Sequence, residues 1–222
     1  MPKFSDEEND IHKPGRRVVT PSKGRVVGRF FSSRNRRSVP WESQLERDCM
    51  RILDILPEVE AYWSQPGGFI YEFAGKQRIY YPDIEVKTRT GRKFIEVKPN
   101  DKLLKGDTFD RFEVIRLVLQ GEGYSFEVWT EDQIRPEPLV SNVDLLQPYR
   151  LLGGTIYSTI SIARAFGGRK RISIGELARQ ISADNAFEAV LPYIAEGKLC
   201  VDLNKPITAD SLVWFYDGEI EQ

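Results

Sequence analysis

The chain has 222 residues, of which 29% are charged and 41% hydrophobic, as in a soluble globular protein. Its net charge of −1 means that any affinity for nucleic acid must come from an uneven charge distribution. The only histidine, His12, lies in a polar tail, which excludes Ser-His-Asp and Cys-His catalysis and histidine-rich metal sites. Cys49 and Cys200 fit no disulfide framework or CxxC motif. Since no apolar run could span a membrane and no signal peptide is visible, we expect a cytoplasmic protein.

Residues 1–40 are predicted to be a basic, flexible N-terminal arm. After an acidic start, the stretch from Ile11 to Trp41 contains no acid and nine cations, which are Lys13, Arg16, Arg17, Lys23, Arg25, Arg29, Arg34, Arg36 and Arg37. Such an arm can follow a phosphate backbone, although a solvated basic tail has the same composition. We name Arg34, Arg36 and Arg37 as candidate DNA contacts.

The first helix is predicted from Ser43 to Leu56 and ends before Pro57. Its apolar stripe recurs at helical spacing and consists of Leu45, Cys49, Ile52, Leu53 and Leu56. Glu46 lies beside this stripe and is the candidate functional acid. Glu42, one turn earlier, competes for the same role, and an exposed helix acid without function is the alternative for both.

A strand from Phe69 to Phe73 is followed by a β-hairpin, which we consider the organising element of the chain. Its predicted strands are 79–86 and 93–97, joined by a polar turn at 88–91. Alternation places Tyr80, Ile84, Val86, Ile95 and Val97 on the buried face and Asp83, Glu85, Glu96 and Lys98 on the other. A turn centred between Arg89 and Thr90 sets Asp83 directly across from Glu96.

Facing carboxylates lie about 5 Å apart at Cβ and repel each other unless a cation lies between them. Mg²⁺ is the natural neutraliser, because it takes oxygen ligands from one or two carboxylates together with substrate phosphates. The predicted site is therefore Asp83, Glu96 and Glu46 as metal ligands, with Lys98 reaching a water or phosphate there. Mn²⁺ is expected to substitute. Glu85-Val86-Lys87 is a second E-x-K tripeptide in the same hairpin, so the tripeptide alone has little specificity.

The remainder of residues 41–150 is predicted to contain a helix, a strand and a connector. The helix runs over 108–120 with Phe109, Phe112, Ile115 and Leu119 facing the core, the strand over 124–130, and the Pro-punctuated connector over 130–150. Lys102 and Lys105 form a basic loop past Lys98 and are further candidate DNA contacts.

Residues 151–222 are predicted to form a separate winged-helix-like domain. Its expected elements are helices over 155–166, 175–181 and 186–196, with Ser173 as an N-cap, and strands over 199–203 and 211–215. A winged helix can bind DNA. Because the last helix has no basic face, docking to a protein is expected at least as much as DNA recognition.

These features resemble the PD-(D/E)XK nuclease superfamily. Pro82-Asp83 and Glu96-Val97-Lys98 match its signature, and the order helix, three antiparallel strands, helix, strand matches its α/β, restriction-endonuclease-like core. The chain is more similar still to TnsA, the endonuclease subunit of heteromeric transposases. The similarity lies in Glu42-Ser43-Gln44-Leu45-Glu46, Ser64-Gln65-Pro66, Tyr81-Pro82-Asp83, Glu96-Val97-Lys98-Pro99, 130–134 and 139–142.

The resemblance implies a bacterial, metal-dependent DNA endonuclease that cleaves the 5′ ends of a transposon. It also implies two protein partners, a DDE-type transposase that cleaves and joins the 3′ ends and an AAA+ ATPase regulator that docks partly on the C-terminal region. Glu46, Asp83, Glu96 and Lys98 fall on the family's catalytic positions. A stand-alone nuclease of restriction or junction-resolving type, and a non-catalytic DNA-binding or docking protein, are the alternatives.

Overall fold

A computed structural model describes residues 26–151 and 157–217. The chain divides into two compact units, the first of Met1–Met50 and Glu60–Ile134, the second of Arg51–Val59 and Arg135–Gln222. The sequence placed a domain boundary at residue 150, whereas the contacts group the chain from Arg135 onward with the second unit. Within the described residues, no helix is both long and apolar enough to cross a membrane.

The first unit is a mixed α/β structure. Its strands are β1 (Gly28–Ser32), β2 (Arg37–Trp41), β3 (Val59–Ser64), β4 (Phe69–Phe73), β5 (Lys76–Tyr80), β6 (Ile84–Thr88), β7 (Gly91–Val97) and β8 (Ser125–Trp129). Its helices are α1 (Gln44–Leu53), whose last turn enters the second unit, and α2 (Asn100–Leu103), α3 (Thr108–Gly121) and α4 (Glu131–Ile134).

The main sheet has four strands in the order β3-β6-β7-β8. β6 and β7 are antiparallel, and β7 and β8 are parallel, as expected when the helix α3 connects two neighbouring strands. The predicted strand Phe69–Phe73 is correct, but it pairs with β5 in a separate two-stranded sheet. The sheet position that we assigned to it belongs to β3, which the sequence analysis missed.

Both faces of the β6–β7 hairpin are buried, which corrects the expectation of one buried and one open face. Ile84 and Ile95 on one face are fully buried, while Glu85 and Phe94 on the other are 0% and 3% exposed. The second face is covered by a mainly aromatic hydrophobic cluster, to which α3 and the β4–β5 hairpin contribute side chains. The cluster consists of Phe69, Tyr71, Phe94, Phe112, Ile115, Leu119 and Phe126. Phe109 was predicted to face this core but is 55% exposed. Strands in the middle of a parallel-containing sheet are covered on both sides, so alternation does not separate core from solvent.

The described part of the predicted flexible arm is a regular β-hairpin. β1 and β2 pair antiparallel along their whole length, from Gly28 opposite Trp41 to Ser32 opposite Arg37. The prediction of flexibility is therefore wrong for residues 28–40. The earlier part of the arm, including Lys13, Arg16 and Arg17, lies outside the described residues.

The second unit contains α5 (Leu139–Leu151), α6 (Thr159–Phe166), α7 (Ile174–Gln180) and α8 (Ala186–Ala195), with strands β9 (Ile172–Ser173), β10 (Leu199–Val201) and β11 (Leu212–Phe215). The strands form one antiparallel sheet in the order β10-β11-β9. The predicted connector over 130–150 is instead largely helical, as α4 and α5. The predicted N-cap is correct, since Ser173 Oγ accepts from the Glu176 N–H.

The winged-helix assignment of this unit stays a prediction. The structure bears on one part of it, because every residue of α8 from Ala189 to Ala195 is buried. This stretch of the helix is therefore core, and it offers neither a DNA-reading nor a docking surface.

Candidate active site

Asp83 lies at the point where the chain passes from one sheet to the other. The sequence predicted a single strand over 79–86, but β5 ends at Tyr80 and β6 begins at Ile84, with Tyr81, Pro82 and Asp83 between them. Proline cannot donate to a ladder, so a break at this position is expected. Two backbone contacts fix Asp83: its Oδ2 accepts from the Val97 N–H at 2.9 Å, and its carbonyl accepts from the Gln65 N–H at 2.7 Å.

The register of the hairpin agrees with the prediction. Thr88 pairs with Gly91 and Ile84 with Ile95, so one further step places Asp83 opposite Glu96. The two carboxylates that the sequence singled out therefore come together at the end of the central strand pair.

Glu96 is 6% exposed and holds two donors. The Tyr80 hydroxyl donates to its Oε2 at 2.7 Å, and the Lys98 ammonium lies 3.5 Å from its Oε1. Burial raises the pKa of Glu96, while the Tyr80 hydrogen bond and the Lys98 charge oppose that rise and the charge of Glu46 adds to it. Lys98 also lies over the Phe112 ring, 5.8 Å from its centroid.

Glu46 belongs to the capping arrangement at the start of α1. Its backbone N–H donates to Ser43 Oγ at 3.1 Å, and its carboxylate accepts from the Glu42 N–H at 2.8 Å and from the Ser43 hydroxyl at 3.0 Å. Its pKa is raised to about 7, first by burial and next by the charge of Asp83. Since Glu46 also raises the pKa of Glu96, the three carboxylates share one electrostatic neighbourhood.

The choice between Glu42 and Glu46 is informed by these contacts. Glu42 contributes its backbone N–H to the Glu46 carboxylate, whereas Glu46 senses the charge of Asp83 and acts on Glu96. Glu46 thus has an electrostatic link to both strand acids, which favours it as the candidate.

Glu85 differs from Glu96 in its partner, because it pairs with Arg92 and not with a residue of the candidate site. Its side chain is fully buried, and Oε1 accepts from Arg92 at 3.0 Å, towards the turn of the hairpin. Lys87, the lysine of the same tripeptide, pairs with Glu60 at 3.5 Å. The two E-x-K tripeptides therefore differ in their surroundings: only the second has its lysine beside its own glutamate.

Tyr80 is the site residue that sequence reasoning missed. Strict alternation along one long strand placed it on the face away from Glu96. The break at Tyr81 and Pro82 changes the direction of the chain and brings the Tyr80 hydroxyl to the carboxylate. The Pro82 within the predicted strand was the available signal. Burial and the Glu96 charge raise the pKa of Tyr80 well above its usual value, so it remains a donor.

The predicted DNA contacts lie on two elements. Arg34, Arg36 and Arg37 are at the tip of the β1–β2 hairpin. Lys102 is in α2, and Lys105 follows it and pairs with Asp101 at 3.0 Å on the surface. Their contact with DNA stays a prediction.

The side chains of the site suit Mg²⁺, because they offer carboxylate oxygens from facing residues and carry more negative than positive charge. The side chains are not arranged as a complete cage: in the described ranges, no group of three or more histidine, cysteine or acidic residues is placed to hold an ion. A site completed by water and substrate phosphates needs only one or two protein carboxylates. The ligand roles of Asp83, Glu96 and Glu46 accordingly stay predictions.

Residues 56–131 match the family model described as the TnsA-like endonuclease N-terminal domain. The match covers about a third of the chain, and over that segment the chain is similar to TnsA-like endonucleases. The match confirms the resemblance to TnsA-like nucleases of the PD-(D/E)XK type. Asp83, Glu96 and Lys98 lie inside the matched segment, and Glu46 lies before it. No curated protein matches the chain.

Proposed function

We propose that this TnsA-like chain is the metal-dependent DNA endonuclease subunit of a heteromeric transposase and hydrolyses phosphodiester bonds at the 5′ ends of the transposon. The observation that carries the proposal is the meeting of Asp83, Glu96 and Lys98 at one strand end inside the matched segment. Double-stranded transposon ends are the substrate. The proposed partners are a DDE-type transposase and an AAA+ ATPase regulator.

In the proposed reaction, Asp83 and Glu96 would hold Mg²⁺, and Glu46 would complete the site as a further carboxylate. When bound, the ion supplies Lewis-acid polarisation of the phosphate and acidifies a water. Lys98 contributes a positive charge beside Glu96, where it favours the negative charge that develops on the phosphate.

The surrounding contacts determine how these groups are oriented. Tyr80 directs one oxygen of Glu96 by donating to Oε2, and the Val97 N–H directs Asp83 in the same way. One donor is a backbone N–H of the sheet and the other belongs to a partly buried ring, so they need no reorganisation when substrate binds. We infer that the strand end is a preorganised anionic site rather than a pair of surface acids.

The test is cleavage of end-labelled transposon-end DNA with Mg²⁺ or Mn²⁺, with and without the partner transposase. Wild type is compared with Asp83→Ala and with Glu85→Gln as a matched control, because Glu85 is a buried acid of the same hairpin that pairs with Arg92. We expect cutting near the 5′ ends that Asp83→Ala abolishes and Glu85→Gln retains. Undiminished cutting by Asp83→Ala contradicts the assignment.

The alternatives predict other patterns in the same assay. Strong cutting without any partner indicates a stand-alone nuclease with the same catalytic residues. Binding of DNA or protein without cutting in any mixture indicates a non-catalytic docking protein, in which the acids of the hairpin are structural.

A further inference from the structure

The β1–β2 hairpin carries a positive charge that nothing in its own sequence neutralises. From Val26 to Trp41 it contains four arginines and no acid. Arg36 and Arg37 at the tip are exposed, as is Arg29 near the base. Arg29 donates to the Ser38 carbonyl at 2.9 Å, across the two strands.

The tip of the hairpin is attached to the main sheet by an asparagine that pairs with backbone. The Asn35 amide donates to the Tyr62 carbonyl at 2.6 Å, and its carbonyl accepts from the Tyr62 N–H at 3.1 Å. Both backbone polar groups of Tyr62, a residue of β3, thereby bind the asparagine. Within the turn, the Asn35 N–H donates to Ser32 Oγ at 2.9 Å, which fixes the asparagine itself.

The base of the hairpin, like its tip, is held by close contacts. Trp41 packs over Gly28, where an added Cβ would come within 2.4 Å of the indole ring. The residue after Trp41 is Glu42, whose N–H donates to the Glu46 carboxylate. One end of the hairpin is therefore attached to β3 and the other leads directly into the candidate active site.

We propose that the hairpin Gly28–Trp41 is a fixed DNA-backbone clamp, in which Arg36 and Arg37 bind phosphates of the duplex beside the cleaved strand. The proposal rests on the proposed function for the identity of the partner. Arginine is suited to this role because its planar guanidinium matches phosphate oxygens. Asn35 acts as a positioning residue: holding the arginines in place before DNA arrives reduces the entropy lost on binding.

The test measures binding separately from cleavage. Anisotropy of a fluorescein-labelled DNA duplex of arbitrary sequence is followed in EDTA at several salt concentrations, with the full chain. The variants are Arg36→Gln/Arg37→Gln and, as a matched control on β5 of the same unit, Lys76→Gln/Arg78→Gln, which also removes two exposed cations.

Loss of two phosphate contacts should reduce affinity roughly tenfold or more at about 0.1 M salt and make the slope of log K against log salt less negative by about 2. The control should leave both quantities unchanged. Equal affinity and slope in wild type and the hairpin variant overturn the proposal, as does a wild type that does not bind the duplex. Unchanged DNA binding with lost binding to the transposase partner would assign the hairpin to a protein contact, and also overturns it.

Asn35→Ala tests the positioning role. We expect weaker DNA binding with both arginines present, together with faster hydrogen exchange of the Tyr62 amide. Unchanged affinity despite that faster exchange contradicts preorganisation. Because binding is measured without metal, a wild type that binds through the hairpin but never cleaves contradicts only the proposed function. A hairpin variant that binds and cleaves like wild type contradicts only the clamp.

Discussion

The Tyr80 hydroxyl donates a 2.7 Å hydrogen bond to Glu96 Oε2, joining the end of β5 to the centre of the main sheet. The bond links two sheets that are not paired with each other, because β5 pairs with β4 and Glu96 is in β7. It also places a donor on a carboxylate that is nearly fully buried. A charged group in such surroundings needs its hydrogen bonds, so this contact should matter for both stability and orientation.

Tyr80→Phe keeps the ring and removes this donor. A hydrogen bond to a charged group contributes about 1.5 to 3 kcal/mol, so we expect a loss of unfolding free energy in that range. Urea unfolding of Tyr80→Phe, Glu96→Gln and the double variant measures the coupling between the two residues. Additive effects of the two substitutions would show that the bond contributes nothing beyond packing.

Glu46 should make the metal-free protein less stable as the pH rises. Its folded pKa of about 7 lies above the ordinary value of 4.5, so the folded state holds the proton more tightly than the unfolded chain. The unfolding free energy should therefore fall between pH 4.5 and about 7 and level off above, by roughly 3 kcal/mol if the whole shift is expressed.

Glu46→Gln keeps the size of the side chain and an oxygen that can accept from the Glu42 N–H. It should flatten this part of the stability profile and stabilise the protein at neutral pH. The measurement is chemical unfolding in EDTA across that pH range, with Glu122→Gln, an exposed acid that follows α3, as the control. An unchanged profile in Glu46→Gln would contradict the shifted pKa.

The buried ion pair of the second unit should be costly to break. Arg150 donates to Asp54 Oδ2 at 2.6 Å, with side chains that are 5% and 0% exposed. Asp54→Asn leaves Arg150 buried without its counter-charge, which typically costs about 3 to 5 kcal/mol. The exposed pair Lys205–Asp202 offers a matched control, and Asp202→Asn should cost under about 1 kcal/mol. Equal effects in thermal unfolding would show that burial does not strengthen the pair.

The hydrogen bonds of Asn142 should stabilise the conformation of the loop before β11. Asn142 donates to the carbonyls of Leu203 and Lys205 at 2.8 Å each and accepts from the Ile207 N–H at 3.1 Å. Asn142→Leu has a similar volume and leaves these backbone groups without their partner, so we expect a loss of about 3 kcal/mol or more. Hydrogen exchange of Ile207 should quicken. Asn204→Ala, in the exposed part of the same loop, should leave that exchange unchanged.

The sequence determined which residue types the candidate site contains and how the two strand acids face each other, because these follow from composition and local register. One histidine excluded the histidine mechanisms. The turn at Arg89 and Thr90 set Asp83 opposite Glu96, because pairing in a hairpin is counted from its turn. The family model matches residues 56–131, which include both strands of this hairpin, and this agrees with the local character of the signal.

Only the tertiary structure decided which of several equivalent side chains belong to the site. Glu85 and Glu96 have the same sequence context, but Arg92 holds the first and Tyr80 with Lys98 the second. The Tyr80 hydroxyl binds Glu96, and Asn35 of the β1–β2 hairpin binds Tyr62 of β3. Both contacts join residues that are distant in sequence. Strand alternation describes one strand at a time, so it contains no information on which sheet, helix or neighbouring side chain covers each face.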